Sequence, residues 1–216
     1  MRKPQIKHIY FDLGNVIIPV KKDIVAVQLA KYSKLTPADL KKTFRHAYSE
    51  YDEDFWRLVY EFDRGQIYPE DFYRKVCEEL KLEMSFDKFV EIWQMMMSID
   101  RRFIELIKNV KAAGVRTGII SDLCLVHYNR AMQLLDRELF DICFFSFLEN
   151  YLKAENDGVV FKRAIRAANF PPENILFVDD RTVNIEMAKK CGMKTFLYLR
   201  DFPMLRRYLK QYGLFI

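Results

Sequence analysis

Two apolar runs in this chain end on carboxylates. Ile9-Tyr10-Phe11 closes on Asp12, followed at once by Leu13-Gly14-Asn15-Val16, and Ile175-Leu176-Phe177-Val178 closes on Asp179 and Asp180. A carboxylate at the end of a buried strand is costly unless a cation or hydrogen-bond donors meet it. Two such ends in one chain point to a shared metal or to phosphate chemistry. Magnesium suits this donor set, since it takes one or two carboxylates and completes its octahedron with waters and substrate phosphate. Asp12 and Asp180 could supply the carboxylates and Gly14 its backbone carbonyl. A carboxylate nucleophile could then split phosphoryl transfer into two steps. Ser121, closing Gly118-Ile119-Ile120, could donate its hydroxyl to a phosphoryl oxygen, and a lysine is wanted as counter-charge.

These residues need strands to hold them. Ile6–Phe11, Arg116–Ile120 and Ile175–Val178 read as strands, with Asp141–Phe145 and Thr195–Leu199 as further members. Strand and helix alternate from Arg116 onward, which predicts an α/β fold: a doubly wound parallel sheet with helices on both faces. Ligands of such sheets bind at the carboxyl ends of the strands, where Asp12, Ser121, Asp179 and Asp180 fall. Residues 17–98 carry almost no strand signal. Thr36-Pro37 reads as the start of one helix. Phe55, Leu58, Val59 and Phe62 form the apolar stripe of another, stopped by Gly65. Pro69 opens a third, with Phe72, Val76 and Leu80 inward, and Phe86, Phe89, Val90, Trp93 and Met97 mark a fourth. The expected organisation is a core of residues 1–16 and 99–216, with a helical bundle, 17–98, inserted after the first strand.

The 216 residues are 50% hydrophobic, enough for a packed core and far from a disordered composition. The net charge of +5 is carried by scattered basic pairs, which read as solvated faces and not as a nucleic-acid surface. The four cysteines lack CxxC spacing, excluding a zinc or redox motif and suggesting buried thiols in a reducing compartment. No signal-peptide pattern and no run of membrane-span length is present, so the expected location is cytoplasmic.

In order and spacing the chain resembles the haloacid dehalogenase superfamily, in its phosphatase branch with a helical cap and a Rossmann-like core. The resemblance rests on Phe11-Asp12-Leu13-Gly14-Asn15-Val16-Ile17, on Ile119-Ile120-Ser121-Asp122, and on Phe177-Val178-Asp179-Asp180 continued by Asn184 and Cys191-Gly192. Asp63-Arg64-Gly65-Gln66-Ile67 and the Trp93 region are similar to the bacterial glucose-1-phosphate phosphatase-like group. The resemblance implies a magnesium-dependent phosphatase of a small phosphorylated metabolite, with a sugar phosphate as the candidate substrate. Asp12 would be nucleophile and metal ligand, with Gly14, Asp180 and Asp179 completing or supporting the metal site and Asn184 orienting the acids. Ser121 and Asp122 would grip the phosphate. The family lysine maps to Lys153 counting from Ser146, and to Glu155 counting back from Phe161 without a gap. A two-residue insertion keeps Lys153, with Lys162 as the fallback.

The chain departs from the family pattern at Gly14. Most such phosphatases place an aspartate there to protonate the leaving group and activate water, and losing a positioned acid costs about 10²–10⁴-fold in rate. A leaving group that needs little protonation would lose less. Two other readings compete: a dehalogenase using the same nucleophile without metal, and a catalytically impaired member that binds a phosphorylated ligand or a partner protein. Tyr48, Tyr51, Trp56 and Arg64 are candidate specificity residues of the cap. His46 and His127 are expected to be satisfied or surface histidines, and Met95-Met96-Met97 to pack the bundle.

Overall fold

The computed structural model describes residues 5–45 and 53–214. Five short strands form one parallel sheet: β1 (His8–Phe11), β2 (Arg116–Ser121), β3 (Ile142–Phe145), β4 (Ile175–Asp179) and β5 (Lys194–Leu197), in the order β3-β2-β1-β4-β5. All four residues of β1 are buried, which is why it reads as an unbroken apolar run and does not alternate. The strand order reverses beside β1, so the carboxyl ends of β1, β2 and β4 open onto one crevice.

Gly118 lets the middle of the sheet close. A Cβ at that position would lie 2.4 Å from the Ile142 carbonyl and 2.5 Å from the Tyr10 ring. The Tyr10 ring fills that space, and its hydroxyl donates to the Ala164 carbonyl at 3.0 Å.

Between β1 and β2 run α1 (Lys22–Leu29), α2 (Pro37–Arg45), α3 (Glu53–Asp63), α4 (Pro69–Leu80) and α5 (Phe86–Gln94). Three of these starts have a local cause. Thr36 Oγ1 accepts the Asp39 N–H while Asp39 accepts the Thr36 N–H, a reciprocal cap. Pro69 opens α4, and Ser85 Oγ accepts the Lys88 N–H to begin α5. Phe55, Phe62, Phe72, Phe89 and Trp93 form a buried aromatic cluster continuous with the sheet's own core. Met97, which the α5 stripe includes, lies beyond the helix end; it pairs with Val20 in a two-stranded neck, where Lys21 N–H donates to Met96 O at 2.8 Å.

After the neck come α6 (Arg101–Ala112), capped by Asp100, then α7 (Leu125–Leu134), α8 (Ser146–Glu149), α9 (Val159–Ala168), α10 (Thr182–Lys190) and α11 (Phe202–Lys210). Of the cysteines, Cys124 is buried, Cys77 and Cys191 are partly buried and Cys143 is exposed. The expectation of uniformly buried thiols fails at Cys143 because it sits on the edge strand β3. No helix among the described residues is long and apolar enough to cross a membrane.

Candidate active site

Asp12 follows β1 directly, and its N–H donates to the Val178 carbonyl at 2.9 Å, tying the ends of β1 and β4 together. Its side chain is buried. Oδ1 accepts the Ser121 hydroxyl at 2.7 Å and lies 2.9 Å from the Lys153 ammonium. Burial pushes the Asp12 carboxyl above the usual range, and the Lys153 charge opposes that push. Burial alone would lower the Lys153 ammonium. The charges of Asp12, Asp179 and Asp122 outweigh that effect and keep it firmly protonated.

Asp179 is fully buried and richly donated to. Lys153 Nζ reaches Oδ2 at 2.6 Å, Asn184 Nδ2 reaches both oxygens at 3.1 and 3.2 Å, and the Arg181 N–H reaches Oδ1 at 2.7 Å. Asp180 is less buried and faces the cavity. Burial first, then the neighbouring Asp179 charge, raise its carboxyl. Oxygens of Asp12, Asp179 and Asp180 all lie within 4.8 Å of one another. Three carboxylates against one ammonium leave an excess negative charge that a divalent cation would offset, and a set of hard oxygens suits magnesium.

Gly14 and Asn15 form a tight turn after Asp12, with Asn15 N–H donating to Ile18 O at 2.8 Å and Asn15 in the left-handed region (φ 54°). A Cβ built on Gly14 would meet only Val20 Cγ2, at 3.7 Å. Nothing steric therefore requires glycine there.

Lys153, Glu155 and Lys162 part company in space. Lys153 joins the buried acids, Glu155 pairs with Arg64, and Lys162 is exposed and pairs with Asp157. The extra length after Lys153 is taken up by three successive left-handed residues, Asn156, Asp157 and Gly158 (φ 46°, 53° and 69°), before α9 begins. Asp122 does something its sequence position does not suggest: its carboxylate accepts the Lys153 N–H at 2.8 Å, pinning the lysine loop to the end of β2.

The crevice above these groups is a cavity of about 170 Å³. Asp12, Gly14, Ser121, Asp122, Lys153 and Asp180 line its floor, whereas Asp179 and Asn184 lie behind it. Trp56, Met96, Met97 and His127 line it too, so Met96 and Met97 shape the pocket as well as packing the helices. His127 is satisfied within the protein: its Nε2 sits 3.3 Å from the Trp93 carbonyl, and burial lowers its pKa to about 4. Arg64 is drawn away from the cavity by Glu155. His46, Tyr48 and Tyr51 lie outside the described residues.

Sequence reasoning missed Lys22, Tyr60, Asp63 and Arg181, which also line the cavity. Asp63 accepts the Cys124 N–H, and burial followed by the Asp122 charge raises its pKa to about 7. Burial, then Arg181, lowers Lys22 to about 8. The end of α3 that carries Asp63 is seated by Ser146, whose Oγ donates to the Asp63 carbonyl and accepts the Leu123 N–H at 2.9 Å. Gly65 lies against the Phe147 carbonyl, where a Cβ would come within 2.4 Å.

Residues 6–192 match the family model for haloacid dehalogenase-like hydrolases. The chain belongs to that family. A D-ribitol-5-phosphate phosphatase from Bacteroides thetaiotaomicron is 22% identical over 199 residues, 88% of this chain and 91% of the relative. Acyl-CoA dehydrogenase family member 10 from Mus musculus is 23% identical over 87% of this chain, which spans 17% of the mouse protein's length. A solved haloacid dehalogenase family enzyme from Bacteroides thetaiotaomicron superposes with a TM-score of 0.76 at 17% identity, over 93% of this chain and 98% of that one. The same enzyme has been crystallised with magnesium and inorganic phosphate. The solved structures share the α/β fold, and the matching family is one of hydrolases.

Proposed function

We propose that the protein is a magnesium-dependent phosphatase of a small phosphorylated metabolite, working through an aspartyl-phosphate on Asp12. The observation that carries this reading is the buried convergence of Asp12, Ser121 and Lys153 beside Asp180 at the floor of the cavity. Among the described residues both recorded donors to Asp12 go to Oδ1, which leaves Oδ2 to attack phosphorus. Ser121 and Lys153 would shift their donors to the phosphoryl oxygens as charge develops on them. The ester P–O bond breaks, the leaving oxygen takes a proton from water, and a second water then attacks phosphorus and breaks the bond to Asp12, releasing inorganic phosphate and restoring the carboxylate.

Magnesium would be held by Asp12, Asp180 and the Gly14 carbonyl, and would neutralise charge between nucleophile and phosphoryl group. Asp179, saturated by its donors, would position Lys153 and not coordinate. Residues 17–98 would act as a cap, joined at the Val20–Met97 neck and excluding water from the cavity. Gly14 favours a second reading, a binding protein with little turnover.

A panel of phosphate esters assayed with magnesium and with chelator separates the two. Magnesium-dependent turnover lost in Asp12→Asn supports the phosphatase. Turnover that survives Asp12→Asn rules out the nucleophile, and phosphate binding without turnover of any ester moves the assignment to the binding protein.

A further inference from the structure

We infer that the body of the substrate is a small apolar group, so that the preferred ester is the phosphate of a short branched or cyclic hydrocarbon alcohol and not of a polyol. This rests on the phosphatase reading for its chemistry, but the argument comes from the cavity walls. Away from the Asp12 floor, the walls are Phe44, Trp56, Val59, Trp93, Met96 and Met97. A polyol carries a hydroxyl on nearly every carbon, and each buried hydroxyl needs a partner.

Among the described residues, the polar groups of the cavity wall each have a partner within the protein. Tyr60 hydrogen-bonds Arg181, Asp63 takes the Cys124 N–H, and His127 sits against the Trp93 carbonyl. The Lys22 ammonium lies 4.5 Å from the centre of the Trp56 ring. Tyr60, Asp63, Lys22 and Arg181 interact with one another as one polar cluster, whereas the aromatic and methionine walls offer a hydroxyl no partner and a hydrocarbon body gains burial against them. Size agrees: the cavity of about 170 Å³ is close to the roughly 150 Å³ that holds one benzene ring in an apolar protein interior. Since the phosphoryl group takes part of it, the volume suits a short chain or a single ring.

The test compares esters with similar alkyl leaving groups, so that leaving-group chemistry does not mimic pocket preference. With magnesium present, kcat/KM for isopentyl phosphate should exceed that for glycerol phosphate by about 10-fold or more, the worth of about two buried methylenes. Val59→Thr and Met96→Gln, each close in shape but adding a polar group to the wall, should lower the ratio of isopentyl to glycerol phosphate kcat/KM several-fold, and an unchanged ratio overturns the inference; unfolding curves confirm that the variants fold. Equal or better turnover of glycerol phosphate overturns the inference and leaves the phosphatase standing. Calorimetric binding of isopentylphosphonate against dihydroxypropylphosphonate reads the pocket without turnover. Tighter binding of the apolar phosphonate by a protein that hydrolyses no ester upholds the pocket and sinks the phosphatase; equal binding overturns the pocket.

Discussion

The Lys153 ammonium lies 2.9 Å from Oδ1 of Asp12, with both side chains buried. The same ammonium is 2.6 Å from Oδ2 of Asp179, so one cation holds together two carboxylates that would otherwise repel each other in the interior. Removing one member of such a group leaves uncompensated buried charge, at a cost of about 3–5 kcal/mol. Lys153→Met should therefore lower unfolding stability by about that amount in chelator. Turnover should fall by about 10²–10³-fold or more, as expected for loss of an electrostatic donor at the phosphoryl group. Urea unfolding with chelator and with magnesium checks the first part. Unchanged stability in chelator would contradict the charge-balancing role.

Asp179 and Asp180 are adjacent in sequence but differ in what surrounds them, and their amide variants should diverge. Asp179→Asn places an amide where three groups, Lys153, Asn184 and the Arg181 N–H, all point donors, so it should destabilise the fold by about 1–3 kcal/mol. Asp180→Asn removes a carboxylate raised by burial and by its neighbour's charge, so the metal-free protein should be as stable as wild type or more so. Magnesium stabilises whatever state binds it, by about 2.7 kcal/mol at a hundred times its dissociation constant. Melting temperature against magnesium concentration should rise for wild type and stay flat for Asp180→Asn. A matching rise in that variant would remove Asp180 from the metal site.

His8 lies at the opposite end of β1 from the site. It is fully buried, its ring centre lies 4.1 Å from that of Tyr10 with the planes tilted by 36°, and it has no hydrogen-bond partner for either ring nitrogen among the described residues. Burial, reinforced by Arg116, lowers its pKa from 6.5 to about 3. Between those values the unfolded chain binds a proton that the folded chain refuses, so stability falls as pH drops below about 6.5 and levels off near 3. Each pH unit in that window costs the folded state about 1.4 kcal/mol. His8→Phe should flatten this acid limb relative to wild type. Unfolding curves from pH 7 to pH 4 measure it, and parallel losses in the two proteins would exclude His8 as a source.

The sheet and the acids were legible because buried parallel strands leave unbroken apolar runs, and a carboxylate closing such a run stands out. Ile9-Tyr10-Phe11-Asp12 and Ile175–Asp179 needed no tertiary information. Lys153 was harder, because Asn156, Asp157 and Gly158 leave the chain in a left-handed detour that has no period to read. Lys22 gave no signal, and Asp63 gave one only within the run Asp63-Arg64-Gly65-Gln66-Ile67. Each sits on a helix whose pattern reports only its inward face, and their approach to one another at the cavity depends on tertiary packing. The second role of Asp122 was hidden for the same reason: a side chain that accepts a backbone N–H 31 residues away leaves no local signature.

Gly14 gives the sharpest test of the chemistry. The backbone there is not left-handed, and an added Cβ would make only ordinary contact with Val20, so Gly14→Asp should fold, with stability within about 1 kcal/mol of wild type when magnesium offsets the added charge. The new carboxyl would line the cavity beside Asp12, where a proton could pass to a departing alcohol. Restoring a positioned acid is worth about 10²–10⁴-fold when the leaving group needs protonation. Alkyl phosphates should therefore gain by roughly that factor, while an aryl phosphate, whose leaving group departs as a stable anion, should gain little. The added charge should also make turnover more dependent on magnesium, since a further carboxylate joins Asp12, Asp179 and Asp180. Initial rates on paired alkyl and aryl esters decide the matter. An equal change on both would mean that Gly14 does not mark a missing acid, and that some other group in the cavity already protonates the leaving oxygen.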